Sequence, residues 1–219
     1  MDAKSRATDL KRYKATSAHM NKYKTIIIDP PWYYANTLAV TGNAPGRTKQ
    51  KGRSGVGYKT LSVDDIKSLP IKSLADTAGC HLYLWVTNKY VKQAYEIIEG
   101  WGFCQKYLLT WAKKPKGMIG FGAYSISSEF VLHAEYRPNK AFNVGRHNST
   151  WFEASRRKHS QKPEAFYEIV EKVSPPPRLE LFARHERPGW DVWGNEVNST
   201  IELSSPHNNR LHSDQNPPR

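Results

Sequence analysis

Apolar positions along the chain fall into short, sharply bounded runs. Residues 24–28 (KTIII) are β-branched and end at two prolines, the pattern of a buried strand. Four further strands are predicted at 81–86 (HLYLWV), 106–113 (KYLLTWAK), 129–136 (EFVLHAEY) and 178–183 (RLELFA). Three segments carry helical spacing instead. Residues 61–69 (LSVDDIKSL) read as a short helix, with Ser62 as N-cap and Asp65 three residues on. Residues 90–102 place Val91, Ala94, Tyr95 and Ile98 on one face and Gly100 near the end. A third helix begins at Pro163, where the missing N–H costs nothing, and carries Phe166, Ile169, Val170 and Val173 at i, i+3, i+4 and i+7. It ends at Ser-Pro-Pro-Pro. Strands alternating with helices predict an α/β fold, with a mainly parallel sheet and helices on both faces. In such sheets ligands gather at the carboxyl ends of strands, and Asp29 stands at one.

The segments between these elements are polar and basic. Residues 1–22 form a basic arm. Residues 35–57 carry Arg47, Lys49, Lys51 and Arg53 with no acid, and 137–162 read as a second long basic loop. Loops of this length inside a compact domain are functional or disordered. The end of the chain, 198–219, is rich in Ser, Asn, His and Pro and is expected to be disordered. No internal repeat is found.

Charge sharpens the picture. The 219 residues carry a formal net charge of +13, which favours a polyanionic partner such as nucleic acid or an anionic membrane surface, nucleic acid first. Arg146, Arg156, Arg157 and Lys158 cluster in the second basic loop and are expected, with the first loop's cations, to contact phosphates. The two cysteines, Cys80 and Cys104, are expected to pack as small hydrophobes. Neither they nor His81, His133, His147 and His159 show metal-ligand spacing, so no metal is expected. The first residues lack the apolar core of a secretory signal, and no apolar run is long enough to span a membrane. A cytoplasmic protein of a bacterium or a phage-infected host is the expectation. The GFG at 120–122 is too short for a dinucleotide fingerprint, and no P-loop is present.

Asp29-Pro30-Pro31-Trp32 directly follows the first apolar strand. Its residue types suit one chemistry. An exocyclic amine on an aromatic ring, such as adenine N6, is a poor nucleophile because its lone pair is delocalised. Two fixed acceptors on its N–H bonds would leave that lone pair aimed at a methyl donor. Asp29 Oδ supplies one acceptor and the Pro30 carbonyl the other, its direction restricted by the prolines. Trp32 offers a flat face for the base. The effect is orientation and preorganised electrostatics, without a strong general base.

DPPW, followed by YKTLSVDDIKSLPI (58–71), LYLWVTN (82–88), GWGF (100–103), QKPEAFYEIVEKVSP (161–175), RLELFAR (178–184) and WGNEV (193–197), resembles the MT-A-type adenine-N6 methyltransferases. The resemblance runs from about residue 23 to 197 and looks like a prokaryotic or phage member. It implies a single-domain class I S-adenosylmethionine-dependent (Rossmann-like) fold with permuted motif order, the catalytic strand preceding the donor-binding one. It further implies that Lys162 contacts the donor carboxylate, and Arg184, Asn195 and Glu196 its ribose and adenine. Glu180, Leu181 and Phe182 belong to the same donor motif, and Asp29 lies near both donor and amine. Tyr58 and Glu129 would shape the acceptor pocket. Two departures stand out: His185-Glu186-Arg187 replaces a Pro-His-Asn-like run, and Glu196 stands where relatives carry Gln. The resemblance implies S-adenosylmethionine as cofactor and nucleic acid as substrate, DNA first and RNA second. A non-catalytic partner subunit of the same fold is the alternative, and a homodimer or partner subunit is left open. Asp29 favours adenine over cytosine-N4, where relatives carry Ser.

Overall fold

The computed structural model describes residues 14–15, 22–33, 60–114, 124, 126–138, 142–155 and 161–204. Among these, β2 (Thr25–Ile28) is an interior strand of a seven-stranded sheet, the third from one edge. The other strands are β3 (Cys80–Val86), β4 (Cys104–Lys114), β5 (Ser128–Tyr136), β6 (Trp151–Ser155), β7 (Arg178–Leu181) and β8 (Trp190–Trp193), in the order β6-β4-β5-β3-β2-β7-β8. Strands β3, β2, β7 and β8 run parallel to one another, as do β4 and β6. Only β5 is reversed, antiparallel to β3 and to β4.

Alternation along the central strands sorts their side chains onto two faces. Ile26, Ile28, Leu82, Leu84 and Val86 pack under helices α1 (Val63–Lys67), α2 (Ile71–Leu74) and α3 (Val91–Gly100). Ile27, Tyr83 and Trp85 pack on the other face, under α4 (Glu164–Val173), through Phe166 and Val170. All three isoleucines are 0–1% exposed. Each contributes about 1.5–3 kcal/mol through burial, which is why a four-residue strand can anchor the molecule. Helix α1 starts at the expected Ser62, in a full capping box with Asp65.

Four features depart from the sequence reading. The segment 137–162 is not one loop: Trp151–Ser155 pair with β4 as an edge strand. Only Phe152 of that strand is buried, so its apolar signal is weak. Helix α2 and strand β8 were not foreseen. The end of the chain is ordered further than expected. Thr200 bonds Val192 through its N–H and hydroxyl, Leu203 reaches the core, and β9 (Leu203–Ser204) pairs with β1 (Lys14–Ala15). Ile201 and Leu203 supply the apolar contacts that the polar composition obscures. Finally, Cys80 is buried as expected, but Cys104 is exposed.

Candidate active site at the carboxyl edge of the sheet

Strand β2 hands on to β3 on one side and lies beside β7 on the other, so the chain's winding reverses between β2 and β7. A crevice opens there at the carboxyl ends of the parallel strands. Ile28 is in register with Leu181, and the Asp29 N–H donates to Leu181 O at 3.5 Å. Asp29 and Phe182 are therefore the first residues off neighbouring strands.

After Asp29 the chain turns tightly. The Trp32 N–H donates to Pro30 O at 2.8 Å, closing a three-residue turn around Pro31. Proline's fixed φ suits the centre of such a turn. The bond uses one lone pair of the Pro30 carbonyl and fixes its direction. Leu61 N–H donates to Pro31 O at 2.8 Å, tying the turn to the approach of α1. Trp32 departs from the exposed platform expected of it. Its ring is 6% exposed and stacks on Tyr90 at 4.9 Å and 17°. Its Nε1–H donates to Trp85 O at 3.0 Å. The tryptophan pins the turn to the core. Tyr33, the next residue, is the exposed ring, and its carbonyl accepts a hydrogen bond from the Tyr90 hydroxyl.

Because β5 is reversed, its first residues reach the same edge as Asp29. Glu129 lies opposite Trp111, near the end of β4, where Lys113 also emerges. The result is a row of alternating charges. Lys162 Nζ stands 2.9 Å from Asp29 Oδ2 and 3.4 Å from Glu129 Oε2, and Glu129 is paired on its other side with Lys113. Lys162 also lies 4.4 Å above the centre of the Trp85 ring. Burial pushes the Asp29 carboxyl above the usual carboxylate range, against the pull of Lys162. Burial acts the same way on Glu129, yet the ammonium groups of Lys162 and Lys113 outweigh it and hold that carboxyl low. Burial opposes the charge on Lys162 too, and its two carboxylate partners more than restore it.

The crevice itself has a volume of about 310 Å³, within the range of small-molecule sites. Asp29, Lys162, Tyr167, Glu180, Phe182 and Arg184 line it, with residues 185–188 closing one side. Glu180 is buried and accepts a hydrogen bond from the Tyr167 hydroxyl at 2.9 Å. Burial drives its carboxyl up to about 7. Phe182 has φ 63° and packs edge-on to Trp193 at 5.2 Å. This left-handed turn, uncommon for a bulky residue, ends β7 earlier than expected and sends the chain along the crevice. Gly194 serves the same end: a Cβ there would lie 2.1 Å from Ala183 O. The close approach brings the segment after β8 against the one after β7, where Arg184 pairs with Glu196 at 3.1 Å. Arg184, Asn195 and Glu196 border an adjoining recess.

A family model described as MT-A70 matches residues 23–196. The chain belongs to the MT-A70 family. Its mixed seven-stranded sheet, flanked by helices, is the class I methyltransferase fold expected of this family. Among curated relatives, the type II methyltransferase M.MunI of a Mycoplasma species is 28% identical over 83% of this chain and 81% of its own length. The human N(6)-adenosine-methyltransferase catalytic subunit METTL3 is 26% identical over 85% of the chain but only 30% of its own. The mouse N(6)-adenine-specific methyltransferase METTL4 is 28% identical over 80% of the chain and 37% of its own.

Against the MT-A70 motifs, the structure gathers Asp29, Glu129, Lys162, Glu180, Phe182, Arg184, Asn195 and Glu196 along one edge of the sheet. Leu181 is a correction: its side chain is 0% exposed and belongs to the core, because strand alternation turns it away from Glu180. Arg146 is exposed and borders a different cavity, beside His133. Tyr58, Arg47, Lys49, Lys51, Arg53, Arg156, Arg157 and Lys158 lie outside the described residues. Three residues in or beside the crevice were missed by sequence reasoning. Lys113 is the last residue but one of β4, in TWAKK, where a cation two residues after a tryptophan could have been read as facing an acid. Tyr167 lies one turn along α4 from Glu164, on the side facing β7. Arg187 grips both Glu164 oxygens at 2.6 Å and lies 4.0 Å over the Tyr167 ring. It falls within the three residues that depart from the family pattern, the one signal that marked it.

Proposed function

We propose that this protein methylates the N6 amine of adenine in nucleic acid, with S-adenosylmethionine as donor and DNA as the first substrate. The observation that carries the reading is the Asp29 carboxylate, at the end of β2 beside the turn-fixed Pro30 carbonyl, held at 2.9 Å by Lys162. The residues present fit the donor. Its carboxylate matches the Lys162 ammonium, its ribose hydroxyls match the buried acceptor Glu180, and its adenine matches the recess bordered by Arg184 and Asn195. When bound it supplies an electrophilic methyl group. Asp29 Oδ and Pro30 O accept the two N–H bonds of the amine and turn its lone pair toward that methyl. Transfer would break the methyl's bond to the donor's sulfonium sulfur, leaving a neutral thioether, and the surplus proton of the methylated amine would leave toward Asp29 or water. Glu129 and Lys113 act one step back, keeping Lys162 in place.

DNA comes first because the relative whose length this chain nearly matches is a type II methyltransferase. The chain spans less than two fifths of METTL3 and METTL4. In a duplex the adenine must leave the stack to reach the crevice, whereas a single strand avoids most of that cost. The test is transfer of labelled methyl to matched single-stranded DNA, duplex DNA and RNA, followed by identification of the modified nucleoside. N6-methyladenosine in RNA alone would replace DNA as substrate. Donor binding with no transfer to any of the three would favour a non-catalytic partner subunit.

A further inference from the structure

We propose that His81, His133 and Glu135 form a binding site for one divalent transition-metal ion, Zn2+ by preference, on the face of the sheet that packs against α4. Strand pairing assembles it. His81 lies opposite Glu135 and Tyr83 opposite His133 in the antiparallel β3–β5 ladder. Directly opposed residues share a face, as do residues two apart, so all three candidate ligands point the same way. One ring nitrogen of each histidine and one Glu135 oxygen lie within 4.8 Å of one another.

Several independent observations converge on the cluster. His133 is 4% exposed, and neither of its ring nitrogens has a hydrogen-bond partner among the described residues. A buried polar side chain in that condition calls for a ligand or an ordered water. Tyr83 and Tyr107 pack near the ring at 4.7 and 5.8 Å, Tyr107 parallel to its face, which leaves the in-plane nitrogens as binding edges. The two imidazole centres are 5.1 Å apart. Two imidazoles sharing one tetrahedral ion at Zn–N of about 2.0–2.1 Å have centres about 5 Å apart. Ser174 Oγ is hydrogen-bonded to His81 Nδ1 at 2.7 Å, the kind of outer contact that fixes the tautomer of a ligating imidazole. Lys106 is the competing cation, but its Nζ is 4.0 Å from Glu135 and its side chain is a third exposed, free to swing away. Two imidazoles and one carboxylate select Zn2+ and its neighbours over Mg2+ or Ca2+. A cavity of about 620 Å³ beside His133 and Glu135 has room for a water as fourth ligand.

The site is separate from the methyl-transfer crevice. Asp29 lies level with Trp85, four residues along β3 from His81, or roughly 13 Å. Its part is to clamp β3 to β5 at the far edge. Sequence spacing hides it, because positions 81 and 133 are joined only by the ladder.

The test uses the full, untagged chain, stripped with a chelator and titrated with Zn2+ by calorimetry and with Co2+ by visible absorption. The expected result is one equivalent of Zn2+ per chain, a four-coordinate Co2+ spectrum, and no uptake of Mg2+. His133→Phe keeps the ring stack and should abolish binding, while Glu135→Gln should weaken it at least tenfold. Circular dichroism of each metal-free variant checks that it is folded. Equal Zn2+ uptake by His133→Phe, or no uptake by the wild-type chain, would overturn the proposal and leave His133 satisfied by water.

Discussion

Asp29 is held between opposing pulls: burial favours its neutral form, and Lys162 favours the charged one. The Lys162 ammonium is shared with Glu129, so removing Asp29 leaves that cation with a partner. For this reason Asp29 can be replaced without stranding a buried charge, a substitution that is costly at an unshared pair. Glu180 behaves differently. Its carboxyl is pushed up to about 7, so between about pH 4.5 and 7 the native chain holds a proton that the unfolded chain has released. Folding stability contributed by this group therefore falls as pH rises through that window, by up to ~1.4 kcal/mol per pH unit. The buried His81 and His133, with depressed pKa values, act with the opposite sign below about pH 6.5. The clean measurement is the difference between wild type and Glu180→Gln in denaturant titrations from pH 4.5 to 7.5. The difference should shrink steadily with rising pH, and a constant difference would contradict the raised carboxyl. Asp29 was legible because an acid between an apolar strand and two prolines suggests its chemistry, and Lys162 and Arg184 because they stand in motifs of the resembled family. Lys113 and Tyr167 were not, because only strand register brings Lys113 to Glu129 and only helix phase brings Tyr167 to the crevice.

At the scale of elements, the turn after β2 depends on a ring. Trp32 is wedged between Tyr90 and the Trp85 carbonyl, which makes the aromatic of the motif a structural wedge. Trp32→Phe preserves the stack but removes the indole N–H and some volume. We predict a loss of about 1–3 kcal/mol in stability, read from denaturation midpoints, with nucleic-acid affinity nearly unchanged. Weaker affinity at unchanged stability would return the ring to the role of a base platform. The same element shows why the sequence was only partly readable. A strand as apolar as Ile26–Ile28 and a helix capped by Ser62 and Asp65 announce themselves. β6 does not, because an edge strand with one buried side chain looks like a loop. Leu203 was hidden by the Ser- and Asn-rich residues around it. Trp32 was misplaced because a tryptophan in a motif carries no sign of whether its face is open.

Across the whole molecule, the sequence carries a net charge of +13, while Lys162 in the crevice is paired with Asp29 and Glu129. On the proposed reading, affinity for nucleic acid comes from the chain's other cations and choice of atom from the crevice. Replacing Arg47, Lys49, Lys51 and Arg53 with Ala should reduce the salt slope of binding by about 0.7–0.9 for each phosphate that is no longer neutralised. An unchanged slope would remove residues 35–57 from the interface. The most direct test concerns Asp29 itself. Wild type and Asp29→Ala would be compared in single-turnover methyl transfer to DNA, with the product nucleoside identified and donor affinity measured on the same samples. N6-methyladenine from the wild type, none from the variant and donor binding largely kept in both is the predicted result. Full transfer by Asp29→Ala would contradict the proposed orientation of the amine.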